Sequence, residues 1–157
     1  MIIIKSKHEV ELLRDAGKIV AETHEIIRDA IKEGISTYEL DQIAEKNITK
    51  YNAIPSFKGY GGFSGSICAS LNEVVVHGIP SKEIILKNGD IISIDIGAFY
   101  KGYHGDAAKT HPVGEISEND KLMIDLTRQS FYEGIKHAVP GHRLSDISHA
   151  IAVYATR

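Results

Sequence analysis

Residues 91–113 read IISIDIGAFYKGYHGDAAKTHPV, and this stretch decides the fold class. Two strand-like runs flank the dipeptide Lys101-Gly102. A two-residue loop with glycine is typical of a tight β-hairpin, because the turn requires positive φ angles. With this loop, Tyr100 lies opposite Tyr103, and the register of the whole hairpin follows.

That register brings two acidic side chains to one face of the hairpin. Asp95 lies opposite Ala108, and Asp106 lies opposite Gly97. Because side chains alternate along a strand, the two aspartates become diagonal neighbours, with Cα atoms about 7–8 Å apart. Carboxylates at this separation can bind a pair of cations about 3.5–4 Å apart. The hairpin therefore predicts a metal site.

The neighbours of the aspartates support a site, although a simpler interpretation stays open. Ser93 and Gly97 share the aspartate face and are small enough to leave room for ions and a ligand. The opposite face is apolar and suited to packing against helices; it carries Ile92, Ile94 and Ile96. Aspartates on strands are also commonly just solvated, and a bulge at Gly105 would break the register.

The rest of the chain predicts helices on both sides of the strands. Residues 7–33 carry apolar side chains at helical spacing and end at Gly34, and a second helix begins at Ser36 with a capping box. A glycine-rich loop then leads to a strand near residues 66–70. Further predictions are a turn at 72–73, a strand at 74–76, and helices over 117–138 and from 144 onward. This order is an α+β pattern with an antiparallel sheet.

Composition excludes several classes of protein. The 157 residues suggest one domain, and no apolar run approaches the roughly 18 residues of a membrane span. The formal charge is −3 and no basic stripe occurs, which argues against nucleic acid as a partner. The single cysteine, Cys68, excludes an internal disulfide and fits a reducing cytoplasm.

Three motifs resemble the methionine aminopeptidases of the bacterial type I group. IDIGAFYKGYHGDAAKT (94–110) is similar to their metal-binding hairpin, and ICASLNEVVVHGIP (67–80) to the segment with their catalytic histidine. FKGYGGFSGSIC (57–68) resembles their methionine-pocket loop. The resemblance extends over nearly the whole chain and implies the N-terminal half of a pita-bread fold, an antiparallel sheet with flanking helices.

By this resemblance, two divalent ions (Mn²⁺, Fe²⁺ or Co²⁺) bind at the hairpin. Asp95 would chelate one ion and Asp106 would bridge both. His77 would bind the substrate and help the leaving amine take a proton. The implied reaction removes the initiator methionine from nascent proteins whose second residue is small, by attack of a metal-bound hydroxide.

The resemblance also implies a methionine pocket and a second ion. The pocket residues would be Phe57, Tyr60, Phe63 and Cys68, since a thioether suits aromatic and sulfur neighbours. The alternative is that these aromatic residues belong only to the core. The carbonyl groups of Asn72 and Val74 resemble positions that bind a monovalent cation in this family.

The implied partners are the N-termini of nascent polypeptides in the cytoplasm and, by resemblance alone, the ribosome; no membrane or nucleic acid is involved.

The metal site of this family needs one histidine and two glutamates in addition to the ligands that these 157 residues supply. We therefore expect residues 1–157 to be a catalytic domain incomplete at its C-terminus and inactive alone, from a family that is monomeric. The alternative is a non-enzymatic half-fold that self-associates or serves as an interaction module. A proline-dipeptide peptidase of the same fold is disfavoured by the pocket loop with Cys68.

The other histidines show no ligand spacing in the sequence. We expect His104 to point away from the Asp106 face and to be structural. Surface or packing positions are expected for the remaining six: His8, His24, His111, His137, His142 and His149.

Overall fold

The computed structural model describes residues 3–156, which form two compact units. The first unit extends to Glu115 and the second begins at Ile116. The first contains α1 (Lys7–Ala30), α2 (Thr37–Lys50), β1 (Ile54–Pro55), a short 3-10 helix (Tyr60–Gly62), β2 (Ile67–Leu71), β3 (Ile91–Tyr100) and β4 (Tyr103–Pro112). The second contains α3 (Glu118–Ile135) and α4 (Leu144–Ala155).

The sheet of the first unit is antiparallel and is organised around β3. Strand β4 pairs with one edge of β3 along the full length of both strands. Strands β2 and β1 pair with the other edge of β3. The predicted register is confirmed, since Asp95 lies opposite Ala108 and Gly97 opposite Asp106, without a bulge. Lys101 and Gly102 have φ angles of 47° and 90°, as a two-residue hairpin turn requires.

One face of the sheet forms the hydrophobic core with α1 and α2. Ile92, Ile94 and Ile96 of β3 are fully buried, as their alternation predicts. Apolar side chains of the helices pack against them, among them Val20, Ile27, Leu40 and Ile48. The core therefore takes up the isoleucine face and leaves the aspartate face of β3 for other groups.

Both helices of this unit begin with a capping box, and the one predicted at Ser36 is confirmed. Its hydroxyl accepts from the Glu39 backbone N–H, and the Glu39 carboxylate accepts from the Ser36 N–H. The predicted end of α1 is wrong by three residues, because the helix ends at Ala30 and Ile31 is extended. The chain leaves the helix early and Gly34 donates its N–H to the carbonyl of Leu86 at 2.9 Å.

The strand predicted at residues 74–76 is absent. This segment follows a turn, and its three valines are 42%, 85% and 62% exposed. A β-branched run needs a neighbouring strand to pair with, and none of the described strands lies beside it. The segment is instead a loop that leads into His77.

The second unit consists of two helices that approach closely at one glycine. A Cβ atom on Gly134 of α3 would lie 2.5 Å from Cγ1 of Ile151 in α4. Ser117 caps α3, as expected, and the helix ends at Ile135, three residues before the predicted end. No helix within residues 3–156 combines the length and apolar character that crossing a membrane requires.

Candidate metal and substrate site

On the aspartate face of the hairpin, the surroundings of Asp95 disfavour its ionised carboxylate. Oδ1 of Asp95 is buried and accepts no hydrogen bond from the residues that the structure describes. Burial, followed by the nearby charge of Asp106, raises the pKa of Asp95 to about 6. Both effects penalise the ionised carboxylate, and a bound cation would relieve both. This pair of side chains is what the register of the hairpin predicted.

Cys68 of β2 lies directly opposite Asp95 and is 5% exposed. Burial and the charges of Asp95 and Asp106 raise the pKa of its thiol to about 11, so the sulfur stays protonated at neutral pH. The start of β2 is fixed by Asp41 of α2, whose carboxylate accepts from the backbone N–H groups of Ser66 and Ile67. A neutral sulfur is thus positioned beside the two carboxylates.

His77 follows β2 in a loop with an unusual backbone conformation. Its φ is 59°, in the left-handed region that few residues other than glycine adopt. The next residue, Gly78, lies against β2: its carbonyl accepts from Ala69 at 2.9 Å, and its N–H donates to the Ser70 hydroxyl at 3.1 Å. A Cβ atom at Gly78 would lie 2.2 Å from the Ala69 oxygen, so only glycine allows this approach.

The His77 imidazole is within electrostatic range of Asp95. The charge of the His77 imidazole lowers the pKa of Asp95 and offsets part of the rise that burial causes. Cys68, His77, Asp95 and Asp106, which lie on β2, a loop, β3 and β4, are therefore brought together.

The predicted pocket residues have different surroundings. Phe57 packs over Gly97, where a Cβ atom would lie 2.8 Å from Cε1 of the ring, so the glycine makes room for Phe57 on the aspartate face. The loop that follows is closed by a hydrogen bond from Gly59 N–H to the Phe63 carbonyl, and Phe63 is half-buried. Tyr60 is 83% exposed. The role of these residues in binding methionine stays a prediction.

The expected orientation of His104 is wrong. Residues two apart in a strand point to the same face, so His104 shares the face of Asp106. Its Nδ1 lies 2.8 Å from the Ser56 hydroxyl, and its ring lies 4.6 Å from that of Phe99. The alternation of β4 contained this information, and His104 is a further candidate for the substrate side of the face.

Asn72 and Val74 lie in the turn after β2. The φ of Asn72 is 49°, and its side-chain amide donates to Asp90 and accepts from the backbone of Ile91. Val74 donates its N–H to the carbonyl of Leu71. Their carbonyl groups as cation ligands stay a prediction.

The donor set fits part of a metal site. Within residues 3–156, no group of three or more His, Cys, Asp or Glu side chains is arranged to hold a metal ion. Two carboxylates, one with a buried oxygen that lacks a partner, are donors suited to hard or borderline divalent ions. They fit as two members of a larger ligand set.

Two of the remaining histidines are packing residues of the first unit. His24 of α1 and His111 of β4 are both buried, with ring centroids 6.4 Å apart. The Nε2 atom of His24 lies 2.8 Å from the carbonyl oxygen of Ala107. Burial lowers the pKa of His24 and lowers that of His111 to about 4, so both are neutral at pH 7.

Comparison with known proteins identifies the family. A family model described as metallopeptidase family M24 matches residues 11–157. The chain belongs to metallopeptidase family M24. Membership of this family implies metal ions, in agreement with the two carboxylates on the hairpin.

The relatives of this M24 chain confirm the predicted resemblance. It is 60% identical to methionine aminopeptidase 1 of Bacillus subtilis and 57% identical to a methionine aminopeptidase of Clostridium acetobutylicum. Both matches cover 98% of this chain and 62% of the relative. The chain thus spans about three-fifths of the length of these proteins.

Solved structures confirm the fold. The crystal structure of methionine aminopeptidase from Rickettsia prowazekii matches with a TM-score of 0.95 and 40% identity, over 99% of this chain and 62% of that one. The chain thus has the α+β pita-bread fold of the M24 family, with its antiparallel sheet and flanking helices, over the part that these residues cover.

Proposed function

We propose that this chain carries part of the active site of a methionine aminopeptidase, which removes the initiator methionine from nascent proteins whose second residue is small. The observation that carries the proposal is the pair of carboxylates, Asp95 and Asp106, on one face of the hairpin, with Cys68 opposite Asp95 on the neighbouring strand. The 60% identity to a methionine aminopeptidase supports the substrate.

In this proposal Asp95 and Asp106 hold divalent ions. The oxygen ligands suit Mn²⁺, Fe²⁺ or Co²⁺, and the choice among them depends on availability in the cell as well as on the ligands. Divalent ions bound there would lower the pKa of water and supply a nucleophile near neutral pH. A monovalent cation at the Asn72 and Val74 carbonyl groups would stabilise the turn that follows β2.

His77 would act on the substrate. Its imidazole is exposed and close enough to Asp95 to affect the pKa of that carboxyl, and in this role it would donate a hydrogen bond to the scissile peptide and help the leaving amine take a proton. The position depends on the close approach of Gly78 to β2. In this proposal, His77 is therefore the catalytic residue within residues 1–157.

The methionine side chain would bind among Phe57, Tyr60, Phe63 and Cys68. The raised pKa keeps Cys68 a neutral thiol, and a neutral sulfur beside aromatic rings suits a polarisable thioether. Phe57 is already on the aspartate face. Tyr60 is exposed, and substrate binding would bury it.

We further propose that residues 1–157 form a catalytic domain that lacks part of its ligand set and does not release methionine by itself. Two carboxylates leave most coordination positions of a divalent ion to water, so metal binding would be weak. The whole protein would act in the cytoplasm on chains emerging from the ribosome.

The test measures methionine release from the peptide Met-Ala-Ser by the purified 157-residue chain, with Mn²⁺ or Co²⁺ present. A full-length methionine aminopeptidase such as the Bacillus relative serves as the positive control, and Asp106→Asn as the matched negative control. We expect no release from the 157 residues. Metal-dependent release that Asp106→Asn abolishes would contradict the proposed inactivity and support the proposed reaction.

A second candidate is a half-fold that self-associates. Of the described strands, β4 pairs only with β3, which leaves its other edge available for another strand. Sedimentation velocity over a range of concentrations tests this candidate. A single monomeric species at all concentrations would rule out self-association, and a dimer that also releases methionine would indicate that a second copy completes the site.

A further inference from the structure

The second unit contains a group of histidines outside the proposed active site. A cavity of about 490 Å³ is lined by Glu133, His137, His142, Asp146, His149 and Tyr154. Two of these residues, His137 and His142, face each other: their Nδ1 atoms are 3.2 Å apart, and their ring centroids are 5.1 Å apart. The sequence does not show this pair, because the two residues are five positions apart in an irregular segment.

A turn brings the two rings together. His137 follows the end of α3 and donates its backbone N–H to the Gly134 carbonyl. His142 donates its backbone N–H to the Val139 carbonyl. Between them Gly141 adopts a φ of 92°, which a residue with a side chain rarely adopts. The backbone thus holds both imidazoles on one side of the cavity.

The spacing of the two nitrogens matches that of ligands on one metal ion. Zinc–nitrogen bonds of about 2.0–2.1 Å at a tetrahedral angle place the two nitrogens about 3.3–3.4 Å apart. In the absence of metal, the same spacing allows one neutral imidazole to donate a hydrogen bond to the other. The pair can therefore exist with and without an ion.

A third donor lies beside the pair. Oδ2 of Asp146 is 3.8 Å from Nδ1 of His142. The same oxygen accepts from the backbone N–H of Arg143 at the start of α4, which keeps the carboxylate near the histidine pair in the absence of an ion. The side chains of His142 and Asp146 are 41% and 44% exposed, so an ion can reach them from solvent.

We propose that the paired imidazoles of His137 and His142 bind a borderline divalent transition-metal ion, Zn²⁺, Cu²⁺ or Ni²⁺, and that Asp146 becomes a third ligand only when the ion is present. Two imidazoles and a carboxylate are the donors that these ions prefer. Only the two nitrogens are already at ligand spacing, and the Asp146 carboxylate closes onto the ion when it binds. The site is independent of the proposed aminopeptidase reaction, because all its ligands come from the second unit.

The test titrates Zn²⁺ into the full 157-residue chain by calorimetry, in an Asp95→Asn/Asp106→Asn background that removes the carboxylates of the hairpin. We expect the Asp95→Asn/Asp106→Asn protein to bind one ion. A further substitution, His137→Asn or His142→Asn, should weaken Zn²⁺ binding at least about tenfold. His8→Asn is the matched control, since His8 is an exposed histidine of the first unit. It should leave the affinity unchanged. No binding by the background protein, or equal affinity after His142→Asn, would overturn the proposal.

A second measurement uses the unmodified chain and does not depend on the folding of any variant. Cu²⁺ with ascorbate and dissolved oxygen oxidises histidines that bind copper, and mass spectrometry locates the oxidised residues. We expect oxidation at His137 and His142 well above that at His8. Equal oxidation of all exposed histidines would show that the spacing of the two rings has no bearing on metal binding.

Discussion

The Asp95 side chain occupies its position at a cost to the stability of the metal-free fold. Its carboxylate is partly buried, one of its oxygens accepts no hydrogen bond within residues 3–156, and Asp106 is close by. Without a cation, each of these features disfavours the ionised form and raises its pKa. An uncharged residue of the same shape would suit the metal-free fold better, as the proposed role of Asp95 in metal binding predicts.

We expect Asp95→Asn to stabilise the metal-free chain near neutral pH by up to about 3 kcal/mol, because a pKa raised from 3.8 to about 6 corresponds to a folding penalty of that size, which partial exposure to solvent reduces. Urea denaturation in the presence of a chelator measures the change. Asp29→Asn, at an exposed aspartate of α1, is the matched control and should have little effect. Destabilisation by Asp95→Asn would show that the ionised carboxylate supports the fold.

At the level of elements, the contact between α1 and β4 depends on a glycine. A Cβ atom on Gly105 would lie 2.6 Å from the carbonyl carbon of Ala16 and 2.7 Å from the nitrogen of Gly17. These are backbone atoms in the middle of a helix, so they cannot move aside individually. Gly105 therefore allows the helix to lie directly on the strand that carries Asp106.

Gly105→Ala should destabilise the chain by about 1–3 kcal/mol, because the helix must move away from the strand. Gly17→Ala provides an opposite control at the same contact, since a Cβ atom there would meet nothing within 4 Å. It should stabilise the chain by about 0.5–1 kcal/mol through the helix propensity of alanine. Chemical denaturation of both variants tests the pair, and a similar loss in both would contradict this account.

For the first unit as a whole, the buried histidines predict sensitivity to acid. His111 has a pKa of about 4 in the folded chain, whereas an unfolded histidine titrates near 6.5. Between these values the unfolded chain binds more protons than the folded chain. The part of the unfolding free energy that depends on neutral His111 is therefore fully present above about pH 6.5. It is lost as the pH falls towards 4. The lowered pKa of His24 acts in the same direction.

We expect a fall from about pH 7 to about pH 5 to remove about 2 kcal/mol of unfolding free energy through His111 alone. The raised pKa of Asp95 acts in the opposite direction, so the informative quantity is the difference between wild type and His111→Gln. The variant should lose less stability on acidification, whatever its stability at neutral pH. Parallel curves for the two proteins would show that His111 is not the acid-sensitive group.

The sequence alone determined the features that depend on neighbours in the chain. The Lys101-Gly102 turn specified the register of the hairpin and thereby the shared face of Asp95 and Asp106. The capping box at Ser36 located the start of α2. Turns and caps are short-range interactions, so the residues that make them lie within a few positions of one another and can be recognised directly.

Tertiary structure decided the features that depend on distant parts of the chain. Residues 74–76 have strand propensity but no strand beside them, and α1 ends early where Gly34 bonds to Leu86. Gly78, next to His77, packs closely against β2, and His137 meets His142 through the conformation of the turn between them. Propensity and spacing describe local preferences, whereas these positions follow from packing and backbone hydrogen bonds between separate segments.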